Sequence, residues 1–389
     1  MSYFSELLER ISDPNWRRRL HTFERVFQRL LPLGGMSSGN QIRVFTETTE
    51  IEEEILHSIR QAQNRIWMET YIFEPDAVGL QVRDALCAAA QRGCEVILLY
   101  DHFGSSGLST GFLEPLIQSG ARAIDFNPIW PWRRKGPLLF RDHRKIVIID
   151  DRIGFCGSYN IAQSRFRDTV VRIQGPAVAD LKGIFLDSLF ETTGESNRVC
   201  FPLHNFEQGV VVQVLGSNQR RKLVSIQKSM ELILKKAKDY CFFTTPYFLP
   251  YDSLRRAMIE AAQRGVDVRI LTAGLSDVPL MRFASHHVYA QFLKAGIRIY
   301  EYFGSTLHAK TAAIDGVYAS IGSYNLDHWS ARRNLEVNVS MVDPNLTEQL
   351  ESQFQVDVKA SREIRLPEWE SRSSLQRFLN FLAYQLMRL

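Results

Sequence analysis

The sequence predicts an α/β protein of two similar α/β/α halves in a pseudo-twofold arrangement, with mostly parallel mixed sheets and one cleft at the seam. Three observations carry this expectation. His143, Lys145, Asp150, Gly157, Ser158, Tyr159 and Asn160 recur at identical spacing as His308, Lys310, Asp315, Gly322, Ser323, Tyr324 and Asn325, all displaced by the same 165 residues. Ala89, Ala90, Gln91, Arg92 and Gly93 precede the strand-like run 95–100, and Ala261, Ala262, Gln263, Arg264 and Gly265 precede the equally strand-like run 267–271. Finally, β-branched and aromatic runs alternate with apolar-periodic segments of about ten residues or more, the pattern of a sheet whose strands are joined by helices.

Residues 1–40 form an N-terminal basic amphipathic helix region. Asp13 is an N-cap and Pro14 a first-turn proline. Trp16, Leu20, Phe23, Phe27 and Leu30 then recur every three or four residues until Pro32, Gly34 and Gly35 stop the helix. Its other face carries Arg17, Arg18, Arg19, Arg25 and Arg29. The first repeat occupies 41–200, with strands at 65–73, 95–100 and 121–126 and the motif at 143–160. Residues 191–205, rich in Thr, Gly, Ser, Asn and Pro, separate it from the second repeat at 205–370. There the strands fall at 239–248, 267–271 and 297–302, and the motif at 308–325. Residues 371–389 form a C-terminal amphipathic helix with Leu375, Phe378, Leu379, Leu382, Leu386 and Leu389 on one stripe beside Arg377 and Arg388. Each terminal helix either packs on the body or lies in a membrane interface with its cations near anionic headgroups.

Composition narrows the partners. Forty-seven basic residues against 43 acidic leave a net charge of +4, too balanced for a dedicated nucleic-acid binder. Cys87, Cys94, Cys156, Cys200 and Cys241 are odd in number and show no CxxC spacing, as expected of reduced thiols. Glu6 and Glu9 interrupt the apolar core that a signal peptide needs, and no apolar run approaches the ~20 residues that span a bilayer. Membrane contact is therefore expected to be peripheral, on the cytoplasmic face.

Each motif carries an imidazole, an ammonium, a hydroxyl and an amide, which suits a site that holds a phosphate and attacks it through nitrogen. Two histidines facing each other across a phosphorus supply a nucleophile and an acid, since an imidazole pKa of about 6.5 allows both protonation states near neutrality. Lys145 and Lys310, two residues after His143 and His308, share their strand face and would hold the phosphate oxygens with Asn160 and Asn325. Ser158 and Ser323 would add hydroxyl donors. Two lysines and an imidazolium provide the charge that a metal supplies elsewhere, so neither a metal nor another cofactor is expected.

The paired HxK(x)4D(x)6GSxN pattern, complete in both copies, resembles the phospholipase D superfamily. The resemblance implies phosphodiester cleavage or exchange, two halves that complete one site within a monomer, and a covalent phosphohistidine intermediate. It favours His143 as nucleophile and His308 as acid, an order the motifs alone do not give. The family counts Asp150 and Asp315 in its catalytic signature, yet alternation puts them on the opposite face, where they read as structural carboxylates. Asp168 follows His143 by 25 residues and Glu336 follows His308 by 28. In this superfamily such a carboxylate accepts the histidine's second N–H and orients the ring.

Glu69 to Phe73, Asp168 to Gly175, Pro246 to Pro250 and Gly322 to Asp327 further resemble bacterial cardiolipin synthases of the phospholipase D type. That likeness implies transfer of a phosphatidyl group, typically to the free hydroxyl of phosphatidylglycerol. A hydrolytic phospholipase or nuclease of the same superfamily is the alternative. Ile129, Trp130 and Trp132 beside Arg133, Arg134 and Lys135, just before His143, suit a lipid headgroup zone, base stacking, or a loop folded into the core. The acceptor pocket is expected from residues 104–111 and 273–282.

Overall fold

A computed structural model describes residues 13–130, 132, 136–163, 166–196, 205–207 and 209–388. In the first half, strands Arg65–Thr70, Glu95–Asp101 and Arg122–Phe126 run parallel, joined through helices Ala77–Gln91 and Thr110–Gln118. Strand Ile146–Ile149 pairs antiparallel with Arg65–Thr70. Ile153–Gly157, Val170–Gln174 and the end of Gly35–Phe45 follow, each antiparallel to its neighbour. The second half repeats the order. Tyr240–Thr244, Asp267–Ala273 and Arg298–Tyr302 are parallel, and Thr311–Ile314, Tyr318–Gly322, Asn334–Val342 and Val210–Asn218 follow antiparallel.

Apart from two two-residue pairings across the seam, parallel pairing is thus confined to three strands per half, a smaller share than strand–helix alternation predicts. The cause is local. Parallel neighbours need a long crossover, whereas the motif strands are linked by tight turns that reverse the chain. At those turns Asp150 and Asp315 both adopt φ 52°, and Gly93 (φ 97°) and Gly265 (φ 91°) end the two matching helices in the left-handed region that a Cβ disfavours.

Two devices weld the halves. Strand Gly35–Phe45 runs across the expected boundary at residue 40. Gly35, Met36 and Ser37 pair with Val214, Gln213 and Val212, and Gln41 to Phe45 pair with Gln174 to Val170 after an irregularity between Ser37 and Asn40. A continuous core also draws Trp67, Ile148 and Phe185 from one half and Val214, Ile321 and Val339 from the other.

Helix Pro14–Leu30 begins as expected, with the Asp13 carboxylate accepting the Asn15 N–H at 2.9 Å. Its stripe does not face a membrane. Trp16, Leu20, Phe23, Phe27 and Leu30 are buried in the second-half core with Ile233, Phe243 and Leu254, and the Trp16 indole donates to the Gly316 carbonyl at 2.8 Å. Of the two readings for this helix, packing on the body holds, because an apolar stripe finds more apolar surface in the cleft between sheet and helix than outside it. Helix Ser374–Arg388 turns only Asn380, Ala383, Tyr384 and Met387 inward. Its leucine stripe stays exposed as far as Leu386, Leu389 lying outside the described residues. Among the described residues no helix is long and apolar enough to cross a membrane. Cys87, Cys94, Cys156 and Cys241 are free thiols. Cys200 and the basic trio Arg133, Arg134 and Lys135 lie outside the described residues.

Burial of Phe23 at 1% exposure sets a stability expectation. Phe23→Ala should cost about 3–5 kcal/mol in chemical denaturation. A loss below about 1 kcal/mol, the level of an exposed substitution, would place this helix outside the core.

Candidate active site

Each histidine sits between a two-residue strand and its motif strand. The chain enters His143 from Arg141–Asp142, which pairs parallel with Asn334 and Leu335 of the other half. It enters His308 from Thr306–Leu307, which pairs parallel with Phe166 and Arg167. The His143 N–H donates to the Leu335 carbonyl and the His308 N–H to the Arg167 carbonyl, both at 3.0 Å. Each imidazole is therefore carried against the strand that bears the opposite half's carboxylate.

The side chains complete this crossing. His143 Nδ1 lies 3.0 and 3.1 Å from the two oxygens of Glu336, and His308 Nδ1 lies 2.8 Å from Asp168 Oδ1. The carboxylate downstream of each motif orients the histidine of the other motif. With Nδ1–H donated to a carboxylate, each ring presents Nε2 to the cleft. Tyr71 packs edge-on against His143 with ring centroids 5.0 Å apart, and Phe166 lies 5.4 Å from His308.

Sequence reasoning gave the serines a phosphate-binding role that the geometry does not support. The Ser158 hydroxyl donates to Asp168 Oδ1 and the Ser323 hydroxyl to Glu336 Oε2, each at 2.5 Å. They hold the orienting carboxylates rather than pointing free into the cleft. Glu336 Oε1 takes two more donors, Ser330 Oγ at 2.7 Å and Asn334 Nδ2 at 3.2 Å, so that with Ser323 on Oε2 both oxygens are held. Asn160 Oδ1 accepts the Ile72 N–H at 3.2 Å, leaving the amide N–H2 as the end that can donate to a ligand. The Asn325 carboxamide oxygen has no partner among the described residues.

Asp150 and Asp315, counted with the catalytic signature, stand away from this cluster. Asp150 accepts the N–H groups of Gln63, Asn64 and Arg65 at 2.7–2.9 Å. Asp315 accepts those of Lys238, Asp239 and Tyr240 at 2.8–3.0 Å. Each ties the start of a parallel strand to the end of a motif strand.

Lys145 and Lys310 are buried and donate to the carbonyls of His143 (2.8 Å) and His308 respectively. Burial, then mutual repulsion, pushes the Lys145 ammonium down to about 7, and burial brings Lys310 to about 8. Burial also holds His143 well below the ordinary imidazole value, with Lys145, Lys310 and His308 adding repulsion. His308 is lowered by burial and by Lys310, but Asp168 opposes the shift. Burial alone would raise Asp168; His308, Lys310 and Ser158 together hold it low and ionised. Glu336 is instead raised by burial to about 7. The two imidazoles are thus unequal: His143 is the more strongly neutral, and His308 keeps an ionised partner that favours its protonated form.

Arg144 was missed by sequence reasoning. It is fully buried, with its guanidinium donating to the carbonyls of Glu336 (3.2 Å), Ile184 (3.1 Å) and Ser217 (3.2 Å) and to Ser188 Oγ (2.7 Å). It locks the Glu336 backbone behind His143. The corresponding residue of the second motif is Ala309, and that break in an otherwise matched pair was the signal available.

Two half-sites that exchange carboxylates around a shared pair of lysines define a phospholipase D-type centre. The family described as "Cardiolipin synthase, PLD-like domain" matches residues 55–183 and again 230–358, and the chain belongs to it. Cardiolipin synthase 1 of Bacillus cereus is 33% identical over 358 residues, covering 87% of this chain and 70% of the relative. Cardiolipin synthase A of Pseudomonas syringae pv. syringae is 30% identical over 379 residues, covering 92% and 79%. Among solved structures, phosphatidylserine synthase of Haemophilus influenzae superposes with a TM-score of 0.71 at 14% identity, over 94% of this chain and 99% of that one. That structural likeness shows the shared fold.

The crossed pairing makes a sharp forecast. In histidine-resolved NMR titrations, Asp168→Asn should lower the His308 pKa by about one pH unit or more, since the charge that favours the imidazolium is gone. His143 should be little changed. A shift at His143 in place of His308 would contradict the pairing.

Proposed function

We propose that this chain is a phosphatidyltransferase that makes cardiolipin from phosphatidylglycerol through a phosphohistidine on His143. The observation that carries the reading is the unequal pair of carboxylate-held imidazoles in one two-lysine field; the cardiolipin synthase relatives point to the substrate class. The phosphodiester would lie between the two Nε2 atoms, its non-bridging oxygens held by Lys145, Lys310 and the Asn160 and Asn325 amides. An anion there stabilises both ammonium groups and the His308 imidazolium.

In the first half-reaction His143 Nε2 attacks phosphorus, a P–N bond forms, and the P–O bond to glycerol breaks. The leaving alkoxide takes the His308 proton. In the second, His308 removes the proton from the acceptor hydroxyl, whose oxygen attacks phosphorus and releases His143. The proton returns to its starting atom, so the cycle balances. Water in place of the lipid alcohol would give phosphatidic acid. Residues 41–200 and 205–370 act in this reading as two domains that complete one centre within a monomer, peripherally bound at the cytoplasmic face of the cell membrane.

Incubation with glycerol-labelled phosphatidylglycerol should yield cardiolipin and free labelled glycerol. Phosphatidic acid as the sole lipid product would replace transfer with hydrolysis, and cleaved DNA without lipid turnover would indicate a nuclease. His143→Ala or His308→Ala should each lower transfer by ~10²-fold or more, the scale of losing a positioned acid or base.

The pH profile of kcat/KM should report the empty site. Activity should fall on the acid side only below the ordinary imidazole value of about 6.5, because His143 must be neutral and is held low. On the alkaline side it should fall first as His308, itself held below the ordinary imidazole value, loses the proton it must donate, and further between pH 7 and 8 as Lys145, then Lys310, lose charge. A flat profile up to pH 10 would remove the lysines from phosphate binding.

A further inference from the structure

We infer that the outward face of the C-terminal helix Ser374–Arg388, continuous with the rim of the active-site cleft, is the surface on which this protein docks to an anionic lipid bilayer. The inference rests on the reading that the substrate is a phospholipid.

The helix is built the wrong way round for a soluble surface. Its inward face offers the body Asn380, Ala383, Tyr384 and Met387. Its outward face carries the larger apolar groups, with Leu375 66%, Phe378 55%, Leu379 51%, Leu382 46% and Leu386 57% exposed. These residues fall at i, i+3, i+4, i+7 and i+11, a single unbroken stripe. A contiguous apolar stripe of this kind marks an interaction site rather than chance exposure. The polar content favours an anionic lipid as the occupant: the helix contains no acidic residue, and Arg377 is exposed beside Phe378, while Arg388 lies over Tyr384 and 3.9 Å from Asp252.

Position relative to the chemistry supports the same occupant. The C-terminal helix packs on helix Pro279–Lys294, where His287 meets Phe381 and Tyr384 at ring-centroid distances of 5.5 and 4.7 Å. Phe283 and Leu280, exposed one and two turns before His287 on that helix, extend the apolar face toward its start. Just before that start lies Asp277, which is hydrogen-bonded to Tyr247 at 2.8 Å and close enough for its charge to act on Lys310. The loops that leave the parallel strands in both halves also project large apolar groups, Phe103 and Trp132 in one and Leu275 and Phe303 in the other. Parallel strands open their clefts at these carboxyl ends. A two-chain lipid that never leaves its bilayer can reach the two histidines only if this edge meets the membrane, and the leucine stripe adjoins it.

The N-terminal helix supplies the contrast. Its sequence pattern is equally amphipathic, yet its apolar stripe is already covered by the protein core.

The test uses the full-length chain carrying His143→Ala, so that no turnover alters the lipid. Partition is measured by flotation on phosphatidylcholine vesicles with and without phosphatidylglycerol. Binding should require the anionic lipid, and the double variant Leu379→Glu/Leu382→Glu should weaken it by at least about tenfold with an unchanged melting temperature. Should that variant fold poorly, a polarity-sensitive dye on Leu379→Cys reports instead, and its emission should shift to the blue on adding vesicles. Undiminished partition, or an unshifted dye on bound protein, would overturn the proposal. So would a variant that changes only the mass of a dimer in light scattering, which would make the stripe a contact between two copies. Because partition is read without catalysis, its failure leaves the transferase reading standing, and failed transfer leaves the docking result intact.

Discussion

Two carboxylate–imidazole bonds that cross the seam between the halves are the constraint on which the rest of this structure depends. Asp168 belongs to the strand region after the first motif and serves the second histidine; Glu336 does the reverse. Neither half orients its own histidine. The shared core, the bridging strand Gly35–Phe45 and the two short cross-seam strand pairs all act to hold these bonds at hydrogen-bonding distance. A buried carboxylate without its donors would be costly, so the serines, Ser330 and Asn334 are parts of the same unit.

From that exchange follows the asymmetry. The duplicated motif offers two chemically equal histidines, but their surroundings differ. Glu336 is enclosed so fully that burial raises it to about 7, whereas Asp168 stays ionised beside His308. One imidazole is left the more fully neutral, with a free ring nitrogen, and the other the more readily protonated, two states that displacement at phosphorus needs. Arg144, with Ala309 as its counterpart, shows that the two halves have diverged behind the rings as well.

Much of this was legible in sequence because it is local. The repeated motif fixed the histidines and lysines on one face, alternation put Asp150 and Asp315 on the other, and helix-ending glycines marked the strand starts. What was not legible is three-dimensional. Separations of 25 and 28 residues say that Asp168 and Glu336 lie on strands, not which ring those strands meet. A serine in a turn looks like a ligand donor until the carboxylate beside it is seen. The terminal helices carry similar stripes, and only packing separates Phe23, buried at 1% exposure, from Leu375 at 66%.

The centre so described works only if both rings address a single phosphorus, with the strongly neutral His143 forming the bond. The most direct measurement is rapid acid-free quenching with phosphorus-labelled phosphatidylglycerol, followed by peptide mapping of the protein-bound label. The account predicts label on the peptide containing His143 alone, and none in His143→Ala. Label on the His308 peptide, or turnover with no labelled histidine at any quench time, would contradict it.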